Sequence, residues 1–375
     1  KMKNYSRRYA ELNAIFQLGK DTHLPESNIE IQFYSFHSDL PDADNETKIN
    51  KSADVLIAEN LSFVYPVFIP TGMSRTDKAI LLLHGLNERN WGKYLTWAEY
   101  LCKQTGKPVI LFPLAFHMNR SPSIWTNPRA MKHVMDLRQI RNGEDRSMSI
   151  ANVALSERIC EKPYRFYSSG RQSMFDLSQL AGEIKQGKHA LFGEDTHIDI
   201  FAYSIGAFLS QITLMANPHG LFTGSKLFMF CGGSIFSSMF GVSRSIMDKE
   251  AFQRLLKYYL NEFEVDTGFN SSVDKGYESF FSMISPERKQ PERESFFKKL
   301  GNSISGISLG NDKVIPYSGV QKAMGLDCAS RQIKLLDFPF SYSHENPFPV
   351  DLRNPFSGVD SAFIQVFSQA AGFLA

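Results

Sequence analysis

Ser204 ends an apolar run, Ile198-Asp199-Ile200-Phe201-Ala202-Tyr203, and stands between the small residues Ala202 and Gly206. Small neighbours let a strand turn into a helix in one tight step, which leaves the hydroxyl exposed at the turn. The N–H groups opening that helix then carry partial positive charge toward any oxyanion formed there. A serine hydroxyl is a weak nucleophile until a base takes its proton. The pattern A-x-S-x-G also occurs at ordinary turns, so the serine needs company before it means chemistry.

Two later segments supply that company. Gly310-Asn311-Asp312 puts an aspartate on a turn just past the apolar run Ile304–Leu309, and His344 follows the run Leu335–Phe340 in a loop. An imidazole within reach of Ser204 would remove its proton, and a carboxylate would hold the imidazole tautomer and stabilise its cation. Asp337 and Glu345 are alternative acids, and Asp312 has the alternative of only forming an Asx turn. His84 and His117 are alternative bases, with His84 better suited to a strand end. His197 and Asp199 share a strand face that would suit a metal, but no third ligand is evident; no metal or cofactor is expected. Cys231, before Gly232-Gly233, reads as a buried inert thiol. Arg120 reads as a solvated cation, with an anionic substrate group as the alternative partner. The stretch SPERKQPERE (285–294) reads as a solvated loop.

Presenting residues so far apart in sequence requires a sheet whose strand ends gather on one edge. Ala79–Leu83 is continuously apolar, as expected of a strand covered on both faces, and Val109–Pro113, Ile198–Tyr203 and Lys226–Cys231 repeat the pattern. Helical stretches separate them: WGKYLTWAEYLCKQT closed by Gly106, then Leu177, Leu180, Ala181 and Ile184 at one helical face. Ile29, Ile31 and Phe33 alternate as a half-buried strand; Phe63–Ile69 is a further strand that Pro66 demotes toward an edge. The first ~20 residues suggest a polar helix, 41–52 (PDADNETKINKS) has linker composition, and 114–170 reads as irregular. Phe252, Leu255, Leu256, Tyr259 and Phe263 form one helical face behind an Asp248 N-cap. The expected fold is α/β, a mainly parallel doubly wound sheet flanked by helices, with inserted cap segments. Residues 1–77 pack a helix and edge strands on a core made of 78–234 and 301–375, and 235–300 forms a helical cap.

Together these features resemble an α/β-hydrolase over most of Lys78–Ala375. Ala202–Gly206, Gly310–Pro316 and His344–Phe348 match the elbow, the acid turn and the histidine loop. The resemblance implies a Ser204 nucleophile, an Asp312 acid and a His344 base. His84-Gly85-Leu86 is similar to the strand end whose backbone N–H completes the oxyanion hole, which assigns the hole to the amides of Leu86 and Ile205. Ala202 departs from the first glycine of G-x-S-x-G. The implied activity is a serine hydrolase acting on a carboxylic ester, thioester or amide through an acyl-enzyme. Acyl transfer to another acceptor, lyase chemistry and a non-catalytic ligand-binding module are the alternatives.

Composition narrows the partners. The balance of 41 basic and 39 acidic residues leaves +2 over 375 residues, and no basic cluster interleaves with aromatics, so nucleic acid is not an expected partner. Hydrophobic residues at 43%, with 31 Phe, are enough for a large core and an apolar cavity, which favours a small-molecule acyl substrate with an apolar part. No apolar run approaches the ~18 residues that span a bilayer. Four scattered cysteines without a CxxC pair give no redox or zinc motif. The basic start KMKNYSRRYAELNAIF has no apolar h-region, so the expected location is cytoplasmic.

Overall fold

Nine segments among the described residues pair into one sheet: β1 (Thr22–Leu24), β2 (Ile29–His37), β3 (Ser62–Pro70), β4 (Thr76–Leu83), β5 (Val109–Leu111), β6 (Phe192–Tyr203), β7 (Leu227–Phe230), β8 (Ile304–Leu309) and β9 (Ile333–Leu336). The computed structural model describes residues 4–39, 54, 57–267, 274–354 and 356–375, so the linker expected at 41–52 lies outside the described residues. The strand order is β1-β2-β3-β5-β4-β6-β7-β8-β9. The first three strands run antiparallel, and from β5 to β9 every pair is parallel. With helices on both faces, this is an α/β-hydrolase fold.

Alternation along the central strands explains why their sequences are continuously apolar. In β4, Ala79, Leu81 and Leu83 enter one core while Ile80 and Leu82 enter the other. In β6, Ile198, Ile200 and Ala202 face the first core, and Phe201 and Tyr203 the second. The first core is closed by the helices Arg165–Lys185 and Ile205–Ala216, the second by Tyr5–Ile15, Gly92–Thr105 and Ser357–Leu374. A sheet buried on both sides fixes where its strand ends lie, and the site depends on those ends.

Four readings from sequence are corrected. Pro66 lies in an interior strand, because β3 pairs with both β2 and β5; the β5 ladder covers only Val67 and Phe68, so one side of Pro66 has no strand partner to lose. The stretch 114–170 is largely helical, with Pro128–Asn142 and Val153–Glu161 preceding Arg165–Lys185. The helix Pro128–Asn142 buries only Met131 and Arg138, so it shows no apolar stripe in sequence. The stretch 285–294 contains the start of the helix Gln290–Leu300, and Arg293 is buried with its guanidinium on the carbonyls of Ala323 (2.9 Å), Ser282, Arg288 and Pro286 (2.6 Å each).

Arg120 is the fourth. It is 0% exposed, donates to Asp176 at 2.6 Å and to the carbonyls of Asn60 and Pro113, and lies over the Phe63 ring. Neither solvent nor a substrate reaches it. Asp176→Asn leaves that cation buried without its carboxylate, which is expected to cost about 3–5 kcal/mol of stability. Urea unfolding followed by tryptophan fluorescence measures it; a midpoint equal to wild type would refute the pairing as a stabilising one.

Candidate active site

The strand–helix junction at Ser204 is a forced turn. Ser204 takes φ 56° and ψ −122°, a region that costs a residue with a Cβ of order 1–3 kcal/mol. The turn is tight because Gly206 lies against β4: a Cβ there would sit 2.8 Å from the carbonyl oxygens of both Leu83 and His84. Gly232 is equally confined, since its Cβ would meet the Ala207 Cβ at 2.5 Å. Ala202, fully buried in β6, occupies the other flank without obstructing the turn.

Ser204 Oγ lies 2.7 Å from His344 Nε2, and His344 Nδ1 lies 2.8 Å from Asp312 Oδ2. All three residues are 5% exposed. The second Asp312 oxygen accepts the amides of Val314 and Ile315, both at 2.9 Å. Asp312 therefore forms an Asx turn with one oxygen while the other faces the imidazole. The two alternative acids are engaged elsewhere: Asp337 accepts from Tyr342 Oη at 2.6 Å and Asn311 at 3.0 Å, and Glu345 accepts from the Ser243 hydroxyl.

His84 is not available as a base. Its Nδ1 donates to the Gly85 carbonyl at 2.8 Å, so its Nε2 accepts the Leu114 amide at 2.9 Å and both ring nitrogens are occupied. Burial, with His117 adding, pushes its pKa well below the usual histidine range. Burial likewise lowers His117 to about 3, and its Nδ1 donates to the Ala115 carbonyl at 2.8 Å. The Cys231 thiol, raised well above its ordinary value by burial and by Asp312, stays protonated. His197 and Asp199 lie 2.9 Å apart, but the carboxylate also takes Lys107 at 3.0 Å and the Lys226 amide at 2.9 Å. No cluster of three or more potential metal ligands occurs among the described residues.

Leu86, Ser204 and Ile205 line one cavity of about 40 Å³, walled by apolar side chains including Phe236, Met247 and Phe252. The N–H groups of Leu86 and Ile205 donate to no described group, as expected for Ile205 at the first turn of its helix. A second, mostly apolar cavity of about 60 Å³ shares Leu86, Phe166 and Ile205 with the first and runs between the helices Arg165–Lys185 and Ile205–Ala216.

Several supports were not visible in sequence. Tyr203 donates its hydroxyl to the His344 carbonyl, and its ring stacks on the imidazole at 5.4 Å and 16°. Lys93 reaches the Glu345 carbonyl at 2.8 Å and Glu88 at 2.6 Å. Tyr94 donates to that same Glu88 oxygen at 2.9 Å and accepts the Gly85 amide at 3.0 Å. This network joins the end of β4 to the histidine loop. The only sequence signal for it was a cluster of polar residues, Glu88 to Lys93, around the start of a helix.

Two neutral histidines, His84 buried and His117 half-buried, make stability depend on pH with a definite sign. Their folded pKa values lie below the ordinary ~6.5, so in acid the unfolded chain binds protons that the native state does not. Stability should fall as pH drops below ~6.5, by about 1.4 kcal/mol per pH unit for each histidine. Urea unfolding of wild type and His117→Asn between pH 6.5 and 4.5 tests it. The variant's slope should be shallower by about one proton, and equal slopes would contradict a neutral His117.

Comparison with solved structures returned esterases at low sequence identity. One from Pyrobaculum calidifontis is 10% identical with TM-score 0.48, covering 98% of this chain and 89% of that one. Carboxyl esterase 2 from the mycorrhizal fungus Tuber melanosporum is 9% identical with TM-score 0.47, covering 98% of both chains. LipW from Mycobacterium marinum is 12% identical with TM-score 0.47, covering 98% and 87%. No curated protein matched. The family described as "Family of unknown function (DUF6051)" matches residues 2–375, and over that span, nearly the whole chain, the protein belongs to it.

Proposed function

We propose that the protein is a serine hydrolase that cleaves a carboxylic ester, thioester or amide through an acyl-enzyme on Ser204. The observation that carries this reading is the hydrogen-bonded series from Ser204 through His344 to Asp312, at 2.7 and 2.8 Å, opening on an apolar cavity. His344 takes the Ser204 proton as Oγ bonds to the acyl carbon and the carbonyl π pair moves onto oxygen. The resulting imidazolium, stabilised by Asp312, returns the proton to the leaving group as its bond to the acyl carbon breaks. Water then repeats the sequence and releases the acid. The amides of Leu86 and Ile205 would hold the oxyanion, each contributing on the order of 10²–10³ in rate.

Two further features fit. A strained serine stabilises nothing in the resting protein, and its conformation makes sense where the hydroxyl must be presented. The proposed cap, 235–300, supplies Phe236, Met247, Phe252 and Leu255 to the wall around Ser204, where it would exclude water and select the apolar part of the substrate.

A fluorophosphonate probe tests the reading without knowledge of the substrate, because it requires an activated serine. The adduct is expected on the peptide holding Ser204 and should vanish in Ser204→Ala and His344→Ala. Labelling of another serine, or of none in a folded sample, would refute it. Asp312→Asn should retain the fold and lose about 10⁴ in turnover of a small aryl ester, because an amide in place of the carboxylate favours the wrong imidazole tautomer. Greater damage from Asp337→Asn than from Asp312→Asn would reassign the acid.

A further inference from the structure

Arg89 lies three residues beyond Leu86, is half-buried, and is handled differently from the buried arginines. Arg120 and Arg138 meet carboxylates, and Arg293 directs all three guanidinium nitrogens at carbonyls. Arg89 donates only to Asn87 Oδ1 at 2.7 Å and to the Phe116 carbonyl at 3.3 Å. Its Nε is buried with no hydrogen-bond partner. Two of five N–H donors are therefore used. No carboxylate among the described residues lies within ion-pair distance of it. Burial, with Arg158 adding, lowers its pKa to about 10.

The space around Arg89 is cationic and shares Leu86 and Phe166 with the cavity at Ser204. A cavity of about 40 Å³ is lined by Leu86, Arg89, Trp125, Arg158, Arg165 and Phe166, and no carboxylate of the described residues lines it. Arg158 and Arg165 share Asp54 at 2.9 and 2.7 Å, and Arg165 also pairs with Glu161, so the two cations have two carboxylates between them. Arg89 and Arg158 both lie over Trp125, at 5.5 and 4.3 Å from a ring centroid. On its other side Arg89 borders an open cleft of about 540 Å³ that also contains Leu86, Lys93 and Glu345. Two acids line that cleft: Glu88 is met by Lys93 and Tyr94, and Glu345 accepts from the Ser243 hydroxyl. Leu86 and Phe166 also line the cavity at Ser204.

A partly desolvated guanidinium without a counter-ion is unfavourable in the free protein, and an incoming anion relieves it. The planar fork suits a carboxylate, which two N–H groups grip at once. The geometry points to an anion subsite at Arg89, so that the substrate is an ester carrying a carboxylate on its acid or its alcohol side, seated beside the Leu86 amide. This inference rests on the hydrolase reading and narrows its substrate class.

Two substrate pairs locate the charge. 4-Nitrophenyl hydrogen glutarate against 4-nitrophenyl valerate places it on the acid side, and 4-acetoxybenzoate against phenyl acetate places it on the alcohol side. Wild type should favour the anionic member of one pair, and Arg89→Met should lower that kcat/KM ratio by about 10–100-fold, the usual worth of a hydrogen bond to a charged group. Arg89→Lys, which keeps the charge and loses the fork, should fall between. A ratio unmoved by Arg89→Met in both pairs overturns the subsite; Arg89→Gln replaces the methionine variant if that one does not fold. Calorimetric binding of glutarate and benzoate to Ser204→Ala provides an arm that needs no turnover. Binding of either acid that is lost on adding Arg89→Met supports the subsite even if no ester is cleaved. Absence of binding, or binding indifferent to Arg89, overturns it. Failure of all four esters together with the phosphonate label refutes the hydrolase reading instead.

Discussion

The contact between Gly206 and the carbonyls of Leu83 and His84 sets the geometry of everything around it. A side chain at 206 would need the space those oxygens occupy, so only glycine lets the helix Ile205–Ala216 start this close to β4. That closeness forces Ser204 to φ 56° and lifts its hydroxyl out of the strand direction. It also brings the end of β4, with Leu86, beside the helix N-terminus, so that two undonated amides and the hydroxyl border one cavity. The parallel pairing of β4 with β6, from Ala79↔Ile198 to Leu83↔Ala202, holds the two strand ends level. The turn is costly locally and is maintained by a sheet buried on both faces.

His344 needs a different kind of support, because it lies on a loop past the last strand and loops do not hold side chains to fractions of an ångström unaided. Here the loop is tied through its backbone. Tyr203, the residue before the serine, holds the His344 carbonyl and stacks on its ring, while Lys93 holds the next carbonyl. The serine and the histidine are thus referenced to the same strand, β6. Glu88 collects Lys93 and Tyr94, and Tyr94 receives the Gly85 amide, so the loop after β4 belongs to the same network. These contacts fix distances among three loops that the sheet alone would leave independent.

What could be read from sequence follows from what periodicity records. Continuous apolar runs at Ala79–Leu83 and Ile198–Tyr203 announce strands buried on both faces, and a polar residue just past each run marks a strand end. Ser204, Asp312 and His344 can be singled out on that basis; the 2.7 and 2.8 Å separations between them belong to tertiary structure. The helix Pro128–Asn142 escapes because it buries only two side chains, one of them an arginine. Arg120 and Arg293 mislead for the same reason: their partners are a distant carboxylate and backbone carbonyls, which leave no pattern near them in sequence. Tyr203 looks like one more core aromatic, and only its contact with His344 gives it a separate role.

Charge is distributed around Ser204 with a consistent bias. The two histidines nearest the end of β4 are kept neutral by burial, so neither adds a proton-dependent charge beside the serine. The thiol of Cys231 is likewise kept uncharged. Of the permanent charges, Asp312 faces the imidazole, Lys93 pairs with Glu88, Arg158 with Asp54, Arg165 with both Asp54 and Glu161, and Glu345 accepts from the Ser243 hydroxyl. Arg89 is the exception beside Leu86, a cation with donors to spare and no acid within reach among the described residues. In a desolvated setting its field is screened less than at an open surface, and it favours negative charge on its Leu86 side. An oxyanion on the Leu86 amide and a carboxylate on the substrate would both draw on that field. On the proposed reading, binding and chemistry would be coupled through one side chain that forms no part of the serine–histidine–aspartate series.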